Sequence, residues 1–188
     1  MKTTYETIRV EVKDDVAVLT IDSPPVNQFS PPMARDFDEA IKDAFGTDDI
    51  KAVIITGAGK NFIAGADITQ LQAVKHRDEI HEKALQGARF MNSIETGPKP
   101  VVAAINGNCL GGGLETAMAC HYRVAAKGVN LGQPEVQIGL IPGIRDFVDA
   151  IPSANTWREV VAKLEGTRFA QFGGRITTHR KFGTAKWH

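Results

Sequence analysis

The sequence predicts an α/β fold assembled from strand–loop–helix units, and three observations carry that reading. Two short runs, AVIIT at 52–56 and VVAAI at 101–105, are wholly apolar, the pattern of parallel strands covered on both faces. Each is followed by a glycine-rich loop, GAGKNFIAGAD and NGNCLGGG. Each loop leads into a helical stretch. Strands alternating with helices at this spacing mark an α/β architecture.

In chain order, Ile8, Val10 and Val12 alternate with polar residues, as a strand with one buried face requires. Asp14 and Asp15 supply turn chemistry and residues 16–21 form a second, more apolar strand, so a hairpin is expected. Pro24, Pro25, Pro31 and Pro32 hold 22–32 as a loop. Ser30 is placed to cap a helix that starts at Pro31, where the missing N–H costs nothing. Met33, Phe37, Ile41 and Phe45 give that helix one apolar face, and Gly46 ends it. After the 52–56 strand and its loop, a polar helix spans 68–95 and TGPKP breaks it. The 101–105 strand, a helix at 112–120 and a strand at 122–126 follow, before the loop GQPEVQIGLIPG. There is no internal repeat.

Composition excludes several classes of function. The 188 residues are 43% hydrophobic and 23% charged, enough apolar material for a globular domain and too much for a disordered chain. Lys plus Arg and Asp plus Glu each number 22, so no global basic field draws in nucleic acid or an anionic membrane. Two cysteines, Cys109 and Cys120, cannot build a disulfide framework. The stretch MKTTYETIRVEVKDD lacks the apolar segment of a secretion signal, and no run of about 18 apolar residues occurs. A soluble cytoplasmic protein is expected. The zero charge conceals an asymmetry: 163–188 holds six basic side chains and one acidic, which leaves 16 basic against 21 acidic in 1–162.

Neither glycine-rich loop is a phosphate cradle. Gly57-Ala58-Gly59 begins like a dinucleotide fingerprint but its sixth position is Phe62, and Gly59-Lys60 is followed by Asn61 where a P-loop has Ser or Thr. Gly107-Asn108-Cys109-Leu110-Gly111 fits a nucleophile elbow with Cys in place of Ser. His121, however, falls at the far end of the helix that this elbow opens, and His179 lies in the tail. Cys109 therefore reads as a buried, inert thiol.

The glycines themselves are the better chemical groups. Gly111-Gly112-Gly113 sits where a strand turns into a helix, so unpaired N–H groups and the positive end of the helix dipole face outward. Missing side chains let a carbonyl oxygen approach them closely. Ala64-Gly65-Ala66-Asp67 offers a second exposed amide at the end of another strand. Two such N–H groups on one oxygen form an oxyanion hole. Glu115 in the first helical turn and Glu135 twenty residues later lie near these loops, and a carboxylate in apolar surroundings suits proton transfer near neutral pH. The bland alternatives are a helix-terminus charge for Glu115 and a solvated loop acid for Glu135. His76 and His81 read as solvated, and no ligand cluster calls for a metal or redox cofactor.

The blocks FIAGADI, NGNCLGGGLETAMAC and LGQPEVQIGLIPG, in this order and spacing, strongly resemble the signature blocks of the enoyl-CoA hydratase/isomerase (crotonase) family, over about residues 5–143. The pattern SPPVN is similar to the hydratase half of bacterial multifunctional fatty-acid-oxidation enzymes. The resemblance implies oxyanion-hole amides at Ala66 and Gly112 and catalytic glutamates at Glu115 and Glu135. It implies substrate or coenzyme A contacts at Val26, Gln28, Ala64, Gly65, Asp67, Ile68, Gly111 and Gly143. With both acids present, it favours hydration of trans-2-enoyl-CoA thioesters to 3-hydroxyacyl-CoA, as in fatty-acid β-oxidation. The implied fold is a crotonase-like ββα spiral assembled as trimers or pairs of trimers, with no cofactor beyond the coenzyme A of the substrate. An isomerase or another acyl-CoA reaction on this scaffold, and an inactive fragment that binds coenzyme A or a subunit, are the alternatives.

After Ile141-Pro142-Gly143 the family pattern continues with glycines and a Thr-Gln pair, where this chain reads IRDFVDAIPSANTWREVV. Together with the charge shift, this divides the chain into a crotonase-like core at 1–143 and an atypical basic tail at 144–188. The tail is expected to be a truncated or frame-shifted continuation, or else a divergent one.

Overall fold

The computed structural model describes residues 1–67 and 77–135, together with the backbones of two strands at 176–179 and 184–187. Strands β1 (Ile8–Lys13) and β2 (Val16–Ile21) form the expected antiparallel hairpin, with Ile8 opposite Ile21 and Lys13 opposite Val16. Asp14 turns the corner at φ 56°, a conformation that aspartate tolerates better than most residues. Ile8 and Val10 are buried, but Val12 is 43% exposed. It sits at the turn end of an edge strand, so the buried face stops one residue pair short of the alternation.

Helix α1 (Pro31–Gly46) begins as predicted: the Ser30 hydroxyl accepts the Met33 N–H at 3.4 Å, with proline in the first turn. Met33, Phe37, Ala40, Ile41 and Ala44 are buried, whereas Phe45 is only partly so. The last carbonyls of the helix are met by a distant cation, Lys99, which donates to Ala44 O at 2.7 Å and Thr47 O at 2.6 Å.

Next come β3 (Ala52–Gly57), β4 (Asn61–Ala64), α2 (Arg77–Glu95), β5 (Val101–Ile105), β6 (Asn108–Leu110), α3 (Gly112–Ala119), β7 (Tyr122–Ala125) and β8 (Leu131–Gly132). Two short strands in the tail, β9 (Ile176–His179) and β10 (Thr184–Trp187), complete the order. Strands β3, β5 and β7 join β2 in parallel, giving a large sheet ordered β1-β2-β3-β5-β7-β10-β9. Within it β10 pairs parallel with β7, Ala185 beside Val124. One face of this sheet carries the core: Leu19, Val53, Ile55, Val101 and Ala103 are fully buried together with Phe37 and Ile94 from the helices. Each of these side chains larger than alanine is worth about 1.5–3 kcal/mol when removed from water. On the other face Val102 and Tyr122 are buried, flanked by half-buried Ile54 and Val124.

The described part of the 68–95 helix is α2; residues 68–76 lie outside the described residues, as do His76 and the side chain of His81. Helix α3 ends at Ala119, one residue early. Its C-terminal carbonyls at Ala117, Met118 and Cys120 accept from buried Arg123 of β7 at 3.0, 3.2 and 2.7 Å.

One feature of the architecture lies inside segments read from the sequence as loops. Strands β4, β6 and β8 form a second, wholly parallel sheet in the order β4-β6-β8. Strands this short never complete a visible alternation, and flanking glycine and asparagine look like turn residues. The register runs Asn61–Asn108, Ile63–Cys109 and Ala64–Leu110, with Phe62 as an extra residue on β4. The unit β3-β4-α2 is then repeated as β5-β6-α3, which is one turn of the expected spiral. Glycine permits the tight crossing between sheets: a β-carbon at Gly57 would collide with Asn61 O, and one at Gly107 with Lys60 O.

Candidate active site

The small sheet brings the two predicted amides together. Strands β4 and β6 end side by side at Ala64 and Leu110. Ala66 and Gly112 each come two residues later, so the parallel register sets them at one level beyond the carboxyl ends of the strands. The two loops touch: a β-carbon at Gly111 would sit 3.7 Å from Gly65 Cα. On the far side Phe29 bridges Ala66, its N–H donating to Gly65 O at 2.8 Å and its carbonyl accepting from Asp67 N–H at 3.1 Å. Such a bridge engages the neighbours of Ala66 and directs its own N–H away from Phe29.

The three consecutive glycines have three different reasons. Gly111 precedes α3 at φ 52°, its N–H donating to Gly132 O at 2.9 Å and its carbonyl accepting from Glu115 N–H at 3.0 Å. A β-carbon there would lie 2.6 Å from Glu135 Oε1, so the missing side chain makes room for an acid. Gly112 opens the helix, where an N–H has no partner one turn back. A β-carbon on it would lie 3.4 Å from the Phe29 ring and 3.9 Å from Glu115 Oε2. Gly113 is a packing glycine, since a β-carbon would overlap Ile63 O. Tight packing therefore accounts for one of the three.

Two carboxylates twenty residues apart in sequence thus stand over adjacent glycines. Glu115 is only 2% exposed and projects from the first turn of α3. Glu135 is half-buried just after β8, and Gln133, with its amide nitrogen toward the acid, donates to both carboxylate oxygens at 3.0 Å. Gln133 and Phe29 are the two neighbours that sequence reasoning missed. Gln133 leaves a trace in the motif GQPE, two positions before the acid. Phe29 leaves none.

The remaining expected contacts cluster beside these groups. Val26 and Gln28 are half-buried and flank Asn27, a buried residue at φ 55°. Asn27 donates to Ala58 O and Asn61 O at 3.0 Å each and accepts from Ser23 N–H at 2.9 Å, pinning their loop to the β3–β4 turn. Ala64, Gly65 and Asp67 are half-buried and Ala66 is exposed. Ile68 and Gly143 lie outside the described residues.

The elbow thiol is not part of this site. Cys109 is fully buried on β6, and burial pushes its thiol up to about 12. His121 is at the other end of α3, where its Nδ1 accepts from Val101 N–H at 3.0 Å. Among the described residues, no group of three or more His, Cys, Asp or Glu could hold a metal ion, and no helix is long and apolar enough to cross a membrane.

Parallel strands feeding two sheets through ββα units define the crotonase fold. An enoyl-CoA hydratase structure from Bacillus anthracis shares it, with a TM-score of 0.69 at 30% identity over 74% of this chain and 55% of that one. The chain belongs to the enoyl-CoA hydratase/isomerase family, whose model matches residues 11–161. A probable enoyl-CoA hydratase of Bacillus subtilis (strain 168) is 42% identical over 136 residues, 72% of this chain and 53% of that protein. The alpha subunit of the fatty acid oxidation complex of Shewanella frigidimarina is 43% identical over 135 residues, 69% of this chain and 19% of that subunit. The chain thus spans about half the length of the first relative and a fifth of the second.

Proposed function

We propose that this chain carries the machinery for adding water to trans-2-enoyl-CoA thioesters, yielding 3-hydroxyacyl-CoA. The observation that carries the reading is the convergence of Glu115 and Glu135 on Gly112 and Gly111, at the level of the Ala66 amide. The thioester oxygen accepts from the N–H groups of Ala66 and Gly112, which draws electron density toward an enolate. Glu115 and Glu135 hold one water. Its hydroxyl adds to Cβ and the proton it gives up is passed by Glu135 to Cα, so the double bond takes up one whole water molecule. The site needs no cofactor beyond the coenzyme A of the substrate, which the 26–28 segment and the 64–68 loop would hold together with Gly111 and Gly143.

The same reading takes residues 1–143 as the catalytic core and 144–188 as a basic tail, supported by the charge shift between them. It includes assembly as a trimer or a pair of trimers and a cytoplasmic location. The names of the multifunctional relatives support the β-oxidation setting.

The test is loss of the enone absorbance of crotonyl-CoA on addition of the purified chain. Hydration that disappears with Glu135→Gln supports the reading. Coenzyme A binding with no turnover, or turnover that survives both glutamine substitutions together, overturns it.

A further inference from the structure

The small sheet is tied by a side-chain ladder that backbone pairing does not require. Asn108 Nδ2 donates to Asn61 Oδ1 at 2.8 Å, and Asn130 Nδ2 donates to Asn108 Oδ1 at 2.8 Å. One asparagine comes from β4, one from β6 and one from the residue before β8. Each lies just upstream of a group in the proposed site: Asn61 before Ala66, Asn108 before Gly112, Asn130 before Glu135.

The spacing shows what such a ladder has to hold. Asn61 is five residues from Ala66, whereas Asn108 is four from Gly112. The bulge at Phe62 absorbs the difference, so that the two amides finish level. A bulge is also where a strand pair holds its register least well, because the ladder of backbone hydrogen bonds is interrupted there. Here the neighbouring backbone bond, Asn108 N–H to Lys60 O, is long at 3.3 Å. A slip of one residue would carry the Ala66 amide about 3.3 Å along the strand. It would also turn the β4 side chains to the opposite face.

We propose that Asn61, Asn108 and Asn130 form a register lock that sets the relative level of the Ala66 and Gly112 amides and Glu135. Asn108 is its central positioning residue, and its consequence for turnover rests on the hydration reading above. The lock has a chemical polarity. Asn61 only accepts, Asn130 only donates, and Asn108 does both. Aspartate at Asn61 keeps an acceptor for Asn108 and so keeps the link, whereas leucine at Asn108 removes both links at once.

The experiment compares N61D, N61L and N108L in the full chain, by crotonyl-CoA kinetics and by amide hydrogen exchange. N108L and N61L are expected to lower kcat about tenfold or more, since a misplacement near 1 Å can cost ~100-fold, with KM moving far less. N61D is expected to recover most of what N61L loses, which a purely bulk-packing role would not produce. Exchange in N108L is expected to rise in 61–67 and 108–112 while β2 and β3 stay protected. That readout decides the lock even if the parent chain does not hydrate crotonyl-CoA, an outcome that sinks the hydration reading alone. Parental exchange in N108L, or an N61D variant no better than N61L in a parent that turns over, overturns the lock.

Discussion

The two sheets of this molecule are built on opposite plans. The large sheet is held by apolar side chains: Leu19, Val53, Ile55, Val101 and Ala103 have no contact with water and close-pack under α1 and α2. The small sheet has strands of two to four residues and leans on asparagine side chains, close-approach glycines and one bulge. Its strand ends nevertheless carry the amides and lead to the acids of the proposed site. The contrast separates two tasks. Burial supplies most of the free energy of folding without fixing positions finely, whereas directional polar contacts add little energy but set the geometry.

The hardest blow to this division is chemical. Replacing Glu115 and Glu135 together by glutamine is expected to lower hydration by about 10⁴-fold, more than either single change, while the thermal unfolding midpoint stays near the parent's. A large loss of stability in that variant would mean the acids hold the small sheet together rather than serve it. The mirror experiment is Ile55→Ala in the large sheet. It should cost about 2–5 kcal/mol in denaturant unfolding, with turnover per folded molecule retained. Gly113→Ala sits at the join, where the new methyl would overlap Ile63 O, and is expected to cost about 1–3 kcal/mol and also to slow turnover by shifting the start of α3.

A smaller effect comes from pH. Burial holds the Cys109 and Cys120 thiols up to about 12, against an ordinary value of 9.0. Between those values the unfolded chain binds fewer protons than the folded one, so stability must fall as pH rises. The expected loss is roughly 1 kcal/mol per thiol one unit above the ordinary value, with Tyr5, also raised to about 12, adding to the slope above 10.0. Urea midpoints from pH 8 to 11 would show it, and a flat profile would place the thiols in contact with water. Smallest of all, Gly46→Ala at the open end of α1 meets nothing within 4 Å and should gain about 0.4–1 kcal/mol.

What the sequence reveals follows the same divide. The hairpin, the Ser30 cap, and the strands at 52–56 and 101–105 can be read directly, because burial writes itself into apolar runs and helical periodicity. The small sheet cannot be read that way, since Asn61, Asn108 and Asn130 look like loop residues until their side chains are seen to join. At the site, Ala66, Gly112, Glu115 and Glu135 come from motif and glycine placement, and the structure brings all four together. Gln133 and Phe29 escape because their roles depend on a pairing across the chain, Gln133 with Glu135 through space and Phe29 through its backbone bridge to Ala66.

Arg123 gives the far end of α3 a meaning beyond capping. With three carbonyls clamped by one sunken guanidinium, the short helix is anchored at its tail to a strand of the large sheet. Negative charge gathering at its head would then meet dipoles already aimed, with no reorientation left to oppose it. Stiffness borrowed from the apolar half of the molecule is in this way delivered, along eight residues, to the polar half.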